Sequence, residues 1–422
     1  MTREMKDSGV AWIGKIPTGW TIRRLQWCLA EVIEKNDPIR TTQILSLTNK
    51  QGVLPYEDKG AQGNKAKENI SEYKIAYENT LIVNSMNVII GSVGISHYFG
   101  CVSPVYYVFK ETTESDLRFI NYIFSTVGFQ KECRKFAKGI LEIRLRISSS
   151  DLFKRPIPLP NIDEQRRIAD YLDTECAKMD AILEKTYVSI EEYKKLKQAI
   201  ITQVVTKGIR GDRPMKESGV IWLDTVPAEW TISKIKYTIF PKEKPVLPMD
   251  EVITCFRDGT VTLRRNRREE GFTISFTENG YQGVDVGDLV IHGMDTFAGA
   301  IGCSDSRGKT SPVVHVCSTV GNNRYFMYFL RYMAYSGVLM DFSNGVRIRS
   351  SDFRNFKKLA VFEMLVPPLR EQNKIVDYLD STLAKIDQVI KQKEILISEL
   401  EACKKSAIYE YVTGKREVPN AY

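Results

Sequence analysis

A dense group of arginines lies between residues 257 and 272, where RDGTVTLRRNRREEGF holds five within twelve residues: Arg257, Arg264, Arg265, Arg267 and Arg268. A guanidinium group can bridge two phosphate oxygens or bind the O6 and N7 edge of guanine. The cluster therefore predicts a nucleic-acid contact surface, which Lys309, Arg347 and Arg349 could extend. The alternative is a solvated basic loop, or a surface lattice formed with Glu269 and Glu270.

The first half of the chain carries a more diffuse basic signal. Its candidate contacts are Lys50, Lys59, Lys65, Lys67, Arg144 and Arg146. Several of them lie in or beside the polar, glycine-punctuated segment 55–69, PYEDKGAQGNKAKEN. Binding residues are concentrated on such loops, so we expect this segment to be the variable reading loop of the first half.

Patterns that would indicate catalysis are absent or incomplete. GCSDSRGKT, starting at Gly302, is similar to a phosphate-binding loop, but it has five residues where that loop has four, and it leads into SPVVHV rather than a helix. We predict a hairpin turn there. The cysteines form no CxxC pair, and His97, His292 and His315 have no ligand-like neighbours. We therefore expect no catalytic residue, metal site or cofactor in this chain.

Composition is typical of a multi-domain protein outside the membrane. The 422 residues are 43% apolar, and 60 basic against 52 acidic residues give a net charge of +8, which suits a polyanionic partner. No window approaches 18 uncharged apolar residues, and the opening MTREMKDSG lacks an apolar signal region. We expect a cytoplasmic protein with no membrane partner.

The chain is a tandem duplication. Residues 5–22, MKDSGVAWIGKIPTGWTI, return as residues 215–232, MKESGVIWLDTVPAEWTI, with ten of eighteen positions identical. Between these openings and the helices that follow, β-branched and aromatic runs alternate with Gly, Asn and Asp, which predicts strands and hairpins followed by short helices. Five pairs align at a constant offset of 208: Leu81/Leu289, Met86/Met294, Gly94/Gly302, Ser103/Ser311 and Pro104/Pro312. Elsewhere the two modules diverge, so one scaffold carries two different surfaces.

Each repeat ends in a run without Pro or Gly that predicts a helix about 65 Å long. Residues 164–180 and 371–387 are identical at ten of seventeen positions. Apolar residues recur at the 4,3 spacing of a coiled-coil seam, which predicts that the two helices pair. The predicted interface comprises Leu172, Met179, Leu183, Ile190, Tyr193, Ile200, Leu379, Leu383, Ile386, Ile390, Ile397 and Leu400. The alternative is two separate helices, each lying on its own domain.

Taken in order, these motifs resemble the DNA-specificity subunits of type I restriction–modification systems. The resemblance covers essentially the whole chain. It rests on the duplicated opening, the SP dipeptide before a strand, the RIRSSDF-like turn at residues 144–153 and 347–353, and LPxxxEQ leading into the long helix. One departure is that Asp151 precedes Glu164 by 13 residues, whereas Asp352 precedes Glu371 by 19. We therefore expect an extra loop or strand at the second junction.

The resemblance implies an α+β fold in which a mixed α/β target-recognition domain followed by a long helix occurs twice. The helices would pair as an antiparallel coiled coil with pseudo-two-fold symmetry. The expected boundaries are 1–157 and 211–365 for the recognition domains, and 158–210 and 366–422 for the helices.

The resemblance also implies a non-catalytic subunit that reads a bipartite, asymmetric double-stranded DNA site. It would scaffold two methyltransferase subunits and the restriction/translocase subunits, and S-adenosylmethionine, ATP and Mg would belong to those partners. The alternatives are a self-sufficient DNA-modifying enzyme with an unrecognised active site and a coiled-coil protein adaptor.

Overall fold

The chain forms two compact units. The computed structural model describes residues 3–48, 51–60, 66, 69–139, 145–267, 278–341 and 353–419. Unit 1 contains Met1–Thr186 and Glu394–Tyr422, and unit 2 contains Tyr187–Lys393. Each unit therefore combines one module with segments of both long helices.

Unit 1 is built on short antiparallel strands. The described strands are β1 (Met5–Asp7), β2 (Lys15–Pro17), β3 (Thr21–Arg24), β4 (Leu29–Glu31), β5 (Leu45–Thr48), β6 (Gly52–Pro55), β7 (Lys74–Ala76), β8 (Leu81–Asn84), β9 (Val93–Ile95), β10 (Gly100–Val102), β11 (Tyr106–Glu111) and β12 (Pro156–Leu159). Its helices are α1 (Leu117–Ser125), α2 (Val127–Arg134), α3 (Ser149–Phe153) and the first part of α4 (Ile162–Lys207).

The main sheet of unit 1 has the order β4-β11-β8-β9, and two-stranded sheets pair β1 with β2, β3 with β12, β5 with β6, and β7 with β10. Helix α1 begins where the side chain of Asp116 accepts hydrogen bonds from the backbone N–H groups of Arg118 and Phe119. Its apolar face packs into a core that includes Trp20 and Phe109.

Unit 2 repeats this order of elements. Its described strands are β13 (Met215–Val220), β14 (Leu223–Pro227), β15 (Thr231–Lys234), β16 (Ile239–Pro241), β17 (Ile253–Cys255), β18 (Val261–Leu263), β19 (Gln282–Val284), β20 (Leu289–His292), β21 (Ile301–Cys303), β22 (Gly308–Thr310), β23 (Val314–Thr319) and β24 (Glu363–Val366). Its helices are α5 (Asn323–Tyr335), α6 (Val338–Asp341), α7 (Phe356–Leu359) and the first part of α8 (Leu369–Val412).

The pairing of strands in unit 2 matches that in unit 1 strand for strand. The main sheet runs β16-β23-β20-β21, and the small sheets pair β13 with β14, β15 with β24, β17 with β18, and β19 with β22. Asn322 caps α5 as Asp116 caps α1, and the core gathers around Trp230, Tyr325 and Phe329. The predicted α+β tandem duplication is confirmed.

The segment from Gly302 to Thr310 differs from the predicted hairpin. It does connect two strands rather than a strand and a helix, as expected. However, β21 pairs with β20 while β22 pairs with β19, so the segment crosses between two sheets. The prediction of a hairpin turn was therefore wrong, because local turn residues do not reveal which strands pair.

The prediction of an extra loop or strand before α8 is also wrong for the described residues. One short helix and one strand, α7 and β24, lie between Phe353 and α8, as α3 and β12 do in unit 1. Backbone contacts show the correct register: Ile147 N donates to Ser85 O at 3.2 Å, and Phe353 N donates to Gly293 O at 2.9 Å. Phe353 thus occupies the place of Ile147, and the RIRSSDF-like match aligned residues that are not structurally equivalent.

The long helices pair in an antiparallel direction within each unit. In unit 1, the rings of Tyr171 and Tyr411 lie 4.7 Å apart, and Lys404 Nζ lies 2.5 Å from Asp180 Oδ1. In unit 2, Lys197 pairs with Asp387, and Lys393 Nζ lies 5.8 Å from the ring of Tyr193. In both units, residues later in α4 contact residues earlier in α8, as expected for antiparallel helices.

The structure places the predicted seam positions on the covered side of each helix. Those that are buried are Leu172, Ile190, Leu379, Leu383, Ile386, Ile390 and Ile397, and those that are half-buried are Met179, Leu183, Tyr193, Ile200 and Leu400. No helix in the described part of the chain has an apolar stretch long enough to cross a membrane.

A repeated contact fixes the start of each helix to the opening segment of its module. In unit 2, the carboxylate of Glu371 accepts hydrogen bonds from Arg213 Nη1 at 2.5 Å, Arg213 Nη2 at 3.1 Å and Trp230 Nε1 at 2.9 Å. We call these three residues the Trp230 clasp.

Unit 1 has the corresponding Trp20 clasp, in which Glu164 accepts from Arg3 Nη2 at 2.5 Å and from Trp20 Nε1 at 3.0 Å. Trp20 and Trp230 are thus packing anchors for the opening segments of their modules.

Candidate nucleic-acid interface

The candidate contacts from the two modules fall in corresponding segments of the fold. The β5–β6 and β17–β18 turns carry Lys50 and Arg257. The segments after β6 and β18 carry Lys59, Lys65 and Lys67 in one unit and Arg264, Arg265, Arg267 and Arg268 in the other. The segments before α3 and α7 carry Arg144 and Arg146, and Arg347 and Arg349. Lys309 lies on β22.

Several of these residues lie outside the described residues. They are Lys50, Lys65, Lys67, Arg144, Arg268, Arg347 and Arg349, together with Glu269 and Glu270 of the predicted lattice. The described candidates are Arg257, Arg264, Arg265, Arg267, Lys309, Lys59 and Arg146.

The β17–β18 turn of unit 2 is tightly organised. Phe256 N donates to Thr260 O at 2.9 Å, Gly259 N donates to Phe256 O at 2.9 Å, and Thr260 N donates to Asp258 Oδ1 at 3.0 Å. Gly259 has φ +86°, which a side chain would strain. We call residues 256–260 the Asp258 turn.

The Asp258 turn lies directly against β21. A Cβ atom added to Gly302 would fall 2.1 Å from Gly259 O, so the close approach requires glycine at position 302. In unit 1 the equivalent Gly94 approaches Gly52 at the start of β6. The aligned glycines therefore set the distance between the small hairpin and the main sheet in each unit.

Arginines around the Asp258 turn are paired with carboxylates. Arg267 Nη1 lies 2.7 Å from Asp258 Oδ2, and Arg257 Nη2 lies 2.9 Å from Asp295 Oδ1. Burial works against ionisation of Asp258, yet hydrogen bonds from Thr260 and Arg267 hold the pKa of this carboxyl below its ordinary value. The turn therefore presents two aligned arginine–aspartate ion pairs.

The remaining described arginines of the cluster extend this surface. Arg265 Nη1 lies 2.8 Å from Glu251 Oε1, and Arg264 Nε donates to Thr254 Oγ1 at 3.2 Å. The lattice with Glu269 and Glu270 that was expected as the alternative lies outside the described residues. The described arginines instead pair with Asp258, Asp295 and Glu251, which come from elsewhere in the module.

Arg331 is a further arginine at this turn that the sequence reasoning missed. It lies on α5, and its Nη2 donates to the backbone oxygen of Asp258 at 2.6 Å and to the Tyr335 hydroxyl at 2.5 Å. Its position within the helical run NRYFMYFLRYMAY resembles that of an ordinary surface residue. Only the tertiary fold brings it to the turn.

The turn after β20 contacts the Asp258 turn and Phe353. Asp295 pairs with Arg257, and Gly293 O accepts a hydrogen bond from Phe353 N. His292 Nδ1 accepts from Asp295 N at 3.1 Å, and burial lowers the pKa of His292. The histidine thus shapes the turn.

Other basic candidates are less closely grouped. Lys309 Nζ lies 2.7 Å from Glu278 Oε2. In unit 1, Lys59 Nζ lies 3.9 Å from the centre of the Tyr56 ring, and Arg146 pairs through its backbone with Lys138 while its side chain is exposed.

A network of charges next to the Asp258 turn's hairpin was not predicted. Arg307 contacts Asp250 and Asp285, and Lys244 Nζ lies 2.7 Å from Asp285 and 2.6 Å from Asp288. Hydrogen bonds from Lys244 and then Arg307 lower the pKa of Asp285. These ion pairs fix the conformation of the loop that leads from β16 to β17.

The described residues contain no group of His, Cys, Asp and Glu arranged to hold a metal ion. Burial raises the pKa of the Cys28 and Cys133 thiols to about 12 and of Cys101 to about 11. These thiols are therefore protonated at neutral pH.

Comparison with known proteins identifies this architecture. Residues 19–192 match the family model described as the type I restriction modification DNA specificity domain. The match covers 174 of the 422 residues and runs from just before β3 into the second half of α4. This part of the chain is therefore similar to a type I restriction–modification DNA specificity domain.

One solved structure agrees with the fold, and two others were also matched. A chain from a structure concerned with complex assembly and conformational transition of the type I R-M system has a TM-score of 0.67 at 14% identity, covering 95% of this chain and 99% of that one. The HsdS subunit from Thermoanaerobacter tengcongensis matches at 14% identity and TM-score 0.49, covering 95% and 98%. The type I S subunit from M. genitalium matches at 16% and 0.42, covering 97% and 99%.

Proposed function

We propose that this chain is the non-catalytic specificity subunit of a type I restriction–modification complex. Each unit reads one half of a bipartite, asymmetric double-stranded DNA site. The chain also scaffolds two methyltransferase subunits and, for restriction, the restriction/translocase subunits. S-adenosylmethionine, ATP and Mg belong to those partners.

The observation that carries this proposal is a constant framework with divergent turns. The two units share the pairing of all their described strands and the capping of α1 and α5. The turns that bear the basic candidates share little sequence, since RDGT in unit 2 stands where unit 1 has NKQG. Such a pattern supports two readers with different sequence preferences, because loops on a fixed scaffold carry specificity.

The long helices support the scaffolding role. Outside their covered seam they expose apolar side chains, among them Val188 and Leu196 in unit 2 and Ile395 and Leu396 in unit 1. Contiguous exposed apolar patches mark surfaces that bind other proteins, and we propose that these side chains contribute to such a patch. The methyltransferase subunits are the proposed occupants.

DNA binding and turnover distinguish this function from its alternatives. The complete chain, mixed with labelled duplex and S-adenosylmethionine or ATP, should bind DNA without methylating, cutting or hydrolysing anything. Turnover by the chain free of partners would instead favour a self-sufficient enzyme. Failure to bind DNA either alone or with its partners would favour a protein adaptor.

The arginine cluster provides the sharper test. Changing Arg264, Arg265, Arg267 and Arg268 together to Ala should abolish specific binding, and each lost phosphate contact should lower the salt slope by about one. The matched control removes four exposed positive charges from α8: Lys374, Lys385, Lys391 and Lys405. Equal loss of affinity in both variants would mean that only net charge matters.

A further inference from the structure

The carboxylate of Asp258 has two separate tasks. Its Oδ1 accepts the hydrogen bond from Thr260 N at 3.0 Å, which shapes the turn between β17 and β18. Its Oδ2 accepts a hydrogen bond from Arg267 Nη1 at 2.7 Å. One residue therefore couples the backbone of the turn to the direction of an arginine side chain.

Arg267 is held on a second side by an aromatic ring. Its guanidinium carbon lies 4.4 Å from the centre of the Phe256 ring, within the range of a cation–π contact. The side chain nevertheless remains 41% exposed. An arginine held by both a carboxylate and a ring, with an exposed edge, is oriented before any ligand arrives.

Arg257 is aligned in a similar way but less tightly. It contacts Asp295 at 2.9 Å, and its side chain is 69% exposed. Asp295 is itself fixed, because its backbone N–H donates to His292 Nδ1. The turn thus presents two arginines, each accompanied by an aspartate that offsets its charge.

Charge compensation separates two kinds of DNA contact. Attraction to phosphates depends on net positive charge and carries no sequence information. A bidentate contact to the O6 and N7 edge of guanine depends on the orientation of the guanidinium plane. Pairing with a carboxylate therefore weakens the attraction of an arginine to phosphates. Fixing the orientation of its guanidinium plane strengthens its bidentate contact with guanine.

We propose that Asp258 is a positioning residue for sequence discrimination, which orients Arg267 toward a guanine edge in the half-site read by unit 2 and suppresses its attraction to phosphates of any sequence. The inference rests on the proposed DNA-recognition function. An acidic residue beside the arginine cluster would thus make the contact between Arg267 and DNA selective for base sequence.

The test is Asp258→Asn in the complete complex with its methyltransferase partners. Asn retains an oxygen acceptor for Thr260 N, but its NH2 group replaces the oxygen that holds Arg267. The matched control is Asp305→Asn, which removes the same charge from the loop after β21. Asp305 is exposed and has no cationic partner within the described part of the chain.

Binding is measured for the cognate duplex and for a duplex in which the half-site of unit 2 is scrambled, at several salt concentrations. Asp258→Asn should lower the ratio of the two affinities about 10-fold and strengthen binding to the scrambled duplex, as expected for one lost base contact. Asp305→Asn should leave the ratio unchanged. Substituting each base pair of the half-site should locate the relaxed position at a guanine.

Two further variants keep the test decisive if Asp258→Asn folds poorly. Arg267→Lys keeps the charge without the planar fork, and it should lose discrimination at the same base pair. In the Arg267→Ala background, adding Asp258→Asn should have little further effect on the ratio.

Unchanged discrimination in Asp258→Asn or Arg267→Lys, or equal losses in Asp258→Asn and Asp305→Asn, would overturn the inference alone. A wild-type complex that prefers no bipartite site would overturn the proposed function as well.

Discussion

The Trp230 clasp predicts that Glu371→Gln destabilises unit 2 more than the matching Glu164→Gln destabilises unit 1. Glu371 accepts three hydrogen bonds, and the Arg213 side chain is only 7% exposed. Glu164 accepts two, and the Arg3 side chain is 28% exposed. The two clasps therefore contain the same three residue types and differ in the number of hydrogen bonds and in the exposure of the arginine.

Breaking a fully buried ion pair costs roughly 3–5 kcal/mol, and exposed pairs contribute about 1 kcal/mol or less. Arg213 keeps a second partner, Glu229, after the substitution. We therefore expect Glu371→Gln to lower the free energy of unfolding of unit 2 by about 2 kcal/mol, and Glu164→Gln to lower that of unit 1 by about 1 kcal/mol. For a unit of about 200 residues, 2 kcal/mol corresponds to a fall in Tm of roughly 4–8 °C.

The assay is calorimetry combined with hydrogen exchange of peptides covering each clasp. In Glu371→Gln, exchange should accelerate around Trp230 and not around Trp20. A larger loss in Glu164→Gln, or faster exchange in unit 1 when Glu371 is changed, would refute the reasoning.

The effect should also depend on pH. Burial alone would raise the pKa of Glu371, but Arg213 and Trp230 outweigh it and hold that pKa below its ordinary value. A carboxyl with a depressed folded pKa stabilises the fold above its unfolded pKa and loses this contribution as pH falls through the folded value. The difference between wild type and Glu371→Gln should therefore shrink below about pH 4.5.

Two further predictions concern the core and the modules. Leu379→Ala should lower the free energy of unfolding of unit 2 by about 3 kcal/mol because the side chain is fully buried. Leu396→Ala, at an exposed position on the same helix, should change the free energy of unfolding by about 0.5 kcal/mol or less. Equal effects of the two substitutions in chemical denaturation would contradict the assigned seam. Exchanging residues 215–365 for the corresponding module of a relative should change one half of the recognised DNA site, as read by mapping methylated bases; alteration of both halves would contradict independent readers.

The fold could be predicted because its signals are local or repeated. Helix formers without Pro or Gly over 162–207 and 369–412, and the 4,3 spacing of apolar residues, depend only on the sequence of each helix. The duplicated opening segments predict the tandem architecture without any assignment of strands. Strand pairing was less accessible, since nothing local to Gly302–Thr310 shows that β21 and β22 belong to different sheets.

The sequence predicts the basic residues of the candidate site but not the acidic residues that pair with them. Arg257 and Arg267 stood out by composition, but the acids that align them, Asp295 and Asp258, became recognisable only through the turn geometry. Arg331 reaches the turn from a helix more than sixty residues away in sequence. The register error at Phe353 has the same cause, because the sequence match pairs Phe353 with Phe153 whereas the backbone contacts pair it with Ile147.

The division of the chain into units sets an order for folding during synthesis. Unit 2 is one continuous stretch, Tyr187–Lys393, so all of its residues are made, and emerge, ahead of the last segment of α8. Unit 1 needs that segment, because Ile408, Tyr411 and Val412 belong to the same core as Leu172. The module translated first is therefore the last to close, and until residue 412 emerges its core stays open to chaperones and proteases. A chain truncated after residue 400 should hold a folded second module and a protease-sensitive first one.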